Sequence, residues 1–381
     1  MTRVIEGKLV LPDEVVLGQI RIIEGEIATV TSAVADFVEP QLRVPPDQFI
    51  SPGFIDLQIN GAFGKEFKSD LDALDVVTKG LTRFGTTAIC PTVTTRELTS
   101  YSEHLALLLR NHTGGTSTKV LGFHLEGPFL NAKKVGAQNP GLLKTPAQCD
   151  YSAYATKDVV IVTLSPELEG APGFMQSLIA DGKKVGIGHS MINYEELIKV
   201  FDSENMMIVH IFNAMDGLQA RSPGVVGAAL ERDDYYVSII ADGIHVDPTV
   251  VRVVWKCKRD KRRLMCITDG SAVAGLPDGT HAIGTRRIQK MPDRAVLEGT
   301  STLVGSILTQ NVAARNLRAF TGCSMSEAVN AVSLNPATFL GQADRMGQIK
   351  ARRAADLVVH DENFDVQQTY LDGQLVWSRG D

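Results

Sequence analysis

The stretch Val120-Leu121-Gly122-Phe123-His124-Leu125-Glu126-Gly127-Pro128-Phe129 reads as a buried strand that ends in a charge. Apolar and β-capable residues run up to Glu126, and Gly127-Pro128 stop the strand there, which places the carboxylate at its C-terminal lip. A carboxylate in that position is paired with a cation or ligates a metal, because burying it bare is strongly unfavourable. Whether other strands end in the same way decides the fold.

Seven further segments read as strands, and those that end at His189, His210, Asp242 and Asp269 close on an ionisable residue as this one does. Before it come Gly53–Gln58 and Thr86–Cys90; after it come Val159–Leu164, Lys184–His189, Met207–His210, Val237–Asp242 and Leu264–Asp269. Helix-length amphipathic stretches separate them, among them Leu71–Phe84, Leu98–Arg110 and Tyr194–Phe201. A strand-helix alternation repeated eight times predicts an α/β fold, a (β/α)8 TIM-like barrel over residues 50–347. A doubly wound open sheet would need a glycine-rich fingerprint after its first strand, and none follows Gln58. Residues 271–305, with Pro277-Asp278-Gly279, predict a hairpin insert near the barrel mouth, and helices near 306–320 and 326–340 follow.

The two ends of the chain are β-rich. Arg3–Glu6, Gly18–Ile23 and Glu26–Val30 lie at one end, with Glu24-Gly25 as a hairpin turn; Ala355–His360, Thr369–Leu371 and Gln374–Trp377 lie at the other. Neither end is long enough to bury a core alone. Residues 1–49 and 348–381 are therefore expected to combine into a small β-sandwich domain built from both termini, with the barrel inserted between them.

Composition narrows the function. A net charge of −6 and a pI near 5.8 carry no footprint for nucleic acid or an anionic membrane. The 5 cysteines form no C-x-x-C pair, as expected in a reducing compartment. No apolar leader and no bilayer-length apolar run is present, so the expectation is a cytoplasmic protein. The basic run Lys256–Arg263 is read as a solvated helix end on the face away from the chemistry.

Polar residues recur at the C-terminal strand ends, where barrels keep their chemistry. Glu126 ends the third strand, His189 the fifth, His210 the sixth and Asp269 the eighth, and His245 follows the seventh. The steps from 189 to 210, 245 and 269 each approximate one βα unit, so these side chains converge on one mouth. Two imidazoles and a carboxylate form a catalytic-metal ligand set that leaves a position for water. Glu126, His189 and His210 are assigned as ligands, and Asp269 as the general base and later acid.

The chain resembles the amidohydrolase superfamily, and within it the N-acetylglucosamine-6-phosphate deacetylases. The resemblance rests on Pro52–Gly61, His124-Leu125-Glu126-Gly127-Pro128-Phe129, Gly188-His189-Ser190 and His210-Ile211-Phe212-Asn213-Ala214-Met215. It continues through Arg221-Ser222-Pro223-Gly224, Ala241–Asp247, Thr268-Asp269 and Ala355–Val359. It implies deacetylation of N-acetyl-D-glucosamine 6-phosphate to D-glucosamine 6-phosphate and acetate. The implied cofactor is a divalent metal, one Zn2+, with Fe2+, Co2+ or Mn2+ as alternatives. It further implies that Asn213, Ala214, Arg221 and His245 bind the substrate, with Arg221 on the phosphate, and that the protein is a homodimer.

Two positions depart from the common pattern. Gln58 and Asn60 stand where many amidohydrolases carry His-x-His; amides are weaker zinc ligands, so one tightly held metal is expected. Gln138 stands where the family usually has a substrate-contacting histidine, and it is expected to touch the sugar. The alternatives are the same chemistry on another N-acyl amino-sugar phosphate, such as N-acetylgalactosamine 6-phosphate, and a non-catalytic binding protein of this fold.

Overall fold

The structure is a computed structural model that describes residues 2–380. Eight strands build the barrel: β1 (Phe54–Ile59), β2 (Thr86–Thr94), β3 (Phe123–Glu126), β4 (Val159–Leu164), β5 (Lys184–Ile187), β6 (Met206–Ile208), β7 (Tyr236–Ile239) and β8 (Leu264–Cys266). Neighbours pair in parallel from β1 round to β8. The ring closes where Ile59 bridges Gly270, with Asp269 N donating to Gln58 O at 2.8 Å. All eight strands expected from the sequence are present. They are continuous apolar runs because both faces are covered, and every residue of β1 and β3 is buried.

The opening stretch differs in one respect. It is split into Lys119–Val120 and Phe123–Glu126 around Gly122, which holds a φ of 129°. A Cβ there would lie 2.4 Å from Val160 Cγ1, so only glycine lets the chain pass.

Helices Ala73–Leu81, Tyr101–Asn111 and Tyr194–Val200 fall on the expected amphipathic stretches. After the barrel, Gln310–Thr321 forms as one helix, but the stretch near 326–340 breaks into Met325–Ala331 and Leu334–Phe339. Pro336 has no N–H to continue the first helix and sits in the opening turn of the second. The insert after β8 is a three-stranded antiparallel sheet, Gly279–Ile283, Arg286–Lys290 and Ala295–Leu297, with a small core of its own around Ile283, Ile288 and Val304.

Strands from both termini share one eight-stranded sheet. Its order runs from Gln374–Ser378 through Val366–Leu371, Leu357–Asp361, Gln48–Pro52, Thr2–Val10 and Val15–Ile23 to Glu26–Thr31, and the short strand Leu42–Arg43 pairs in parallel with Thr2–Val10 as the eighth. The sheet curls back on itself: Arg3 Nη1 donates to Gly373 O at 3.0 Å, Glu26 bridges Ala354, and the Gly25 turn packs against Asp372. The enclosed core holds Ile5, Leu9, Ile20, Ile50, Leu357 and Tyr370. The strand Gln48–Pro52 leads from this sheet directly into β1.

The basic run corrects its sequence reading. Lys258 is fully buried, and its Nζ donates to the carbonyls of Arg232 at 2.6 Å and Tyr235 at 2.8 Å. The helix Gly224–Glu231 ends at Arg232, and this ammonium caps the Arg232 carbonyl left free there while also tying down the Tyr235 carbonyl just before β7. Arg263 stacks 4.2 Å over the Tyr236 ring. Only part of the run is solvated. Among the described residues, no helix is long and apolar enough to cross a membrane.

Candidate active site

The parallel register carries five expected side chains to the same barrel mouth. Glu126 is the last residue of β3, while His189 and His210 each lie two residues beyond β5 and β6. His189 Nε2 is 3.4 Å and His210 Nε2 3.1 Å from Glu126 Oε1, and all three side chains are buried. Their donor atoms lie within 4.8 Å of one another. His189 Nδ1 donates to Lys134 O at 2.7 Å, which turns the lone pair of Nε2 towards the centre.

The backbone is strained here. His189, His210 and Asp269 hold φ values of 50°, 36° and 48°, the left-handed region that non-glycine residues avoid at roughly 1–3 kcal/mol each. Each bends the chain directly after a strand and turns its side chain into the mouth. The surrounding hydrogen bonds keep these bends: His210 N donates to Ser238 Oγ at 2.9 Å, and Ser306 N donates to Asp269 O at 3.0 Å.

Three amides hold the carboxylates. Gln58 Nε2 donates to Glu126 Oε1 at 2.7 Å and lies 3.4 Å from Asp269 Oδ1. Asn60 Nδ2 donates to the same Asp269 oxygen at 2.7 Å. Gln138 Nε2 donates to Glu126 Oε2 at 2.9 Å, while its own Oε1 accepts from Thr95 N at 2.8 Å. The first two positions, marked in the sequence only as unusual, thus orient the ionisable groups. One layer below, Thr268 Oγ1 donates to Asp56 Oδ2 at 2.5 Å, and His124 links Leu57 O at 2.8 Å to Thr163 Oγ1 at 2.7 Å. Burial pushes the Asp56 carboxyl up to about 7 despite the Thr268 bonds.

Electrostatics separates the roles. Burial works against an ionised Glu126, but the hydrogen bonds and charge of His189 and His210 win and hold it well below the usual carboxylate range. Burial and the Glu126 charge raise the Asp269 carboxyl. Burial disfavours a charged His245, yet Asp242 Oδ2, 2.6 Å from its Nδ1, raises it above the ordinary histidine value.

A cavity of about 290 Å³ opens over these groups. Glu126, His189, His210, Asp269, Asn213, Ala214, His245 and Gln138 all line it. Arg221 does not: it is exposed on the loop before helix Gly224–Glu231. The lining also includes Glu66 and Lys68 from the loop after β1 and Arg286 from the hairpin insert. Glu66 and Lys68 follow a strand end, which was a usable signal. Arg286 sits in an ordinary alternating strand, and nothing in its local sequence points to the cavity.

Two imidazoles and one carboxylate, buried and mutually oriented at the bottom of a cavity, fit a divalent metal ion. A barrel with this group at the C-terminal ends of its strands is the framework of a metal-dependent hydrolase. The chain belongs to the Amidohydrolase family, which it matches over residues 49–376. It is 34% identical to the N-acetylglucosamine-6-phosphate deacetylase of Danio rerio, over 87% of this chain and 85% of that one. It is 32% identical to the N-acetylgalactosamine-6-phosphate deacetylase of Escherichia coli O157:H7, over 98% and 99%. The N-acetyl-D-glucosamine-6-phosphate deacetylase of Mycobacterium smegmatis, solved with N-acetyl-D-glucosamine-6-phosphate, superposes with a TM-score of 0.90 at 26% identity, covering 99% of this chain and 100% of that one.

Proposed function

We propose that the protein deacetylates N-acetyl-D-glucosamine 6-phosphate, releasing D-glucosamine 6-phosphate and acetate, with one Zn2+ held by Glu126, His189 and His210. The observation that carries this reading is the pairing of that buried donor group with Asp269, reached by the same Gln58 amide. When bound, the cation supplies Lewis acidity that activates water and polarises the acetamide carbonyl. Asp269 takes the water's proton and returns it to the departing amine. Asn60 holds Oδ1 of Asp269, so the other oxygen is left for the proton. Gln58 and Gln138 keep Glu126 oriented for the ion, and His189 is fixed by Lys134 O. The donor set favours zinc, with Fe2+, Co2+ and Mn2+ as alternative ions.

On the opposite wall, Asn213, Ala214 and His245 receive the sugar phosphate. Arg221 is assigned to the phosphate of a second copy in a homodimer, a reading supported by its exposure beside Leu218, which is 57% exposed. The unpaired, scattered cysteines support a cytoplasmic setting.

The E. coli relative favours a second reading, the galactosamine epimer. Acetate release from the two N-acetylated 6-phosphates by zinc-loaded protein separates them. A higher kcat/KM on the glucosamine derivative supports the first reading; a higher value on the galactosamine derivative replaces it with the second.

A further inference from the structure

The cavity has a second charged wall that the proposed chemistry leaves unused. Barrel topology puts the loop after β1 across the mouth from the loops after β5 and β6, which carry His189, His210, Asn213 and Ala214. On that wall stand Glu66, Lys68 and Arg286. Arg286 and Glu66 form an ion pair, so their charges cancel. Among the described residues, the Lys68 ammonium has no ion-pair or hydrogen-bond partner, and Lys68 is the one lysine lining the cavity.

An unpaired, half-buried ammonium is unfavourable unless something answers its charge. Burial pushes Lys68 below the usual lysine range; Glu66 opposes the shift, and Arg286 and Arg96 add to it. The backbone around it is held from three sides. Arg96 Nη1 donates to Lys68 O, His104 Nε2 donates to Phe67 O at 2.7 Å, and Phe67 N donates to Asn60 O at 3.0 Å. Asn60 is also the residue that holds Asp269. The root of the lysine is therefore fixed in register with the reacting groups, and the residue lines the space the substrate must occupy.

We propose that Lys68 is a specificity-determining residue whose ammonium binds an oxyanion of the substrate in the cavity of its own chain. This rests on the reading of the site as one for an amino-sugar phosphate and adds a contact to it. Charge-assisted hydrogen bonds to phosphate or carboxylate are the strong ones available to an ammonium. The oxyanion comes from one of two sources, the 6-phosphate itself or an acidic substituent elsewhere on the ring.

Calorimetric binding to the metal-loaded holoenzyme tests this with three probes: glucosamine, glucosamine 6-phosphate and the 3-O-carboxymethyl ether of glucosamine. Lys68→Met should weaken at least one anionic probe by about tenfold or more, the loss of one charge-assisted contact. Glucosamine should stay within about twofold, and Lys68→Arg should restore the lost affinity to within about threefold of wild type. Loss on the phosphate alone identifies the phosphate as the source; loss on the ether alone identifies a ring substituent. Equal loss on all three probes, or loss on none, overturns the proposal. Because the readout is binding of amines with no acetyl group, an inactive wild type would overturn the deacetylase reading and leave this result standing by itself.

Discussion

Replacing Gln138 with leucine separates two roles for this residue. The family resemblance makes it a sugar contact, whereas the structure has its Nε2 donating to Glu126 Oε2 at 2.9 Å and its Oε1 accepting from Thr95 N at 2.8 Å. A hydrogen bond to a charged group contributes about 1.5–3 kcal/mol, and about 1.4 kcal/mol corresponds to a tenfold change in affinity. Gln138→Leu removes that donor from the carboxylate proposed to hold the metal and puts nothing polar in its place. The metal dissociation constant should therefore rise roughly 10- to 100-fold, the range found when partners of metal ligands are removed. Competition against a chromophoric chelator of known affinity, at fixed pH, measures it directly. An unchanged metal affinity with a raised KM for the sugar would refute the reasoning and restore Gln138 to the substrate.

Three further outcomes are expected. Asp269→Asn should lower kcat by about 10²–10⁴ while one metal per chain stays bound, because the amide can still accept from Asn60 but cannot take a proton; metal analysis beside turnover checks it, and near-normal kcat would remove Asp269 from the chemistry. Lys258→Met leaves the carbonyls of Arg232 and Tyr235 without their donor and should cost about 3 kcal/mol of stability, read by urea unfolding. For pH, burial lowers His360 from 6.5 to about 4, so the folded chain keeps it neutral while the unfolded chain takes up a proton below about 6.5. Stability should accordingly fall as pH drops from 6.5 to 4, by about 3 kcal/mol for this residue. Unfolding curves across that window should show a smaller loss in His360→Gln, and an equal loss would exclude His360 as the cause.

The barrel was legible because each strand is an apolar run that ends in a polar residue or a turn, and the run needs no knowledge of its neighbours. The same feature exposed Glu126, His189, His210 and Asp269: a strand-end position repeats with the βα unit, so spacing alone brings the four together. Contacts made by side chains from distant elements were not legible. Gln58, Asn60 and Gln138 look like substitutions in a pattern until the closing of β8 on β1 sets Asn60 against Asp269 and the loop after β3 folds Gln138 back on Glu126. Lys258 sits in a run of charges whose solvation is the ordinary expectation, and only the packing of helix Pro248–Cys257 beside Gly224–Glu231 shows the carbonyls it caps. Arg286 enters the cavity on a hairpin whose own sequence reads as a surface strand. Arg221 had the opposite fate, since its motif was legible but its side chain lies outside the cavity of its own chain.

A metal titration of activity tests the central claim most directly. Protein stripped with a chelator and then given zinc stepwise, with acetate release from N-acetyl-D-glucosamine 6-phosphate as the readout, should be inactive without metal. Its activity should rise linearly to a plateau at one equivalent per chain, because Glu126, His189 and His210 form the single buried donor group found among the described residues. Full activity in the stripped protein, or a plateau only at two equivalents, would contradict the account.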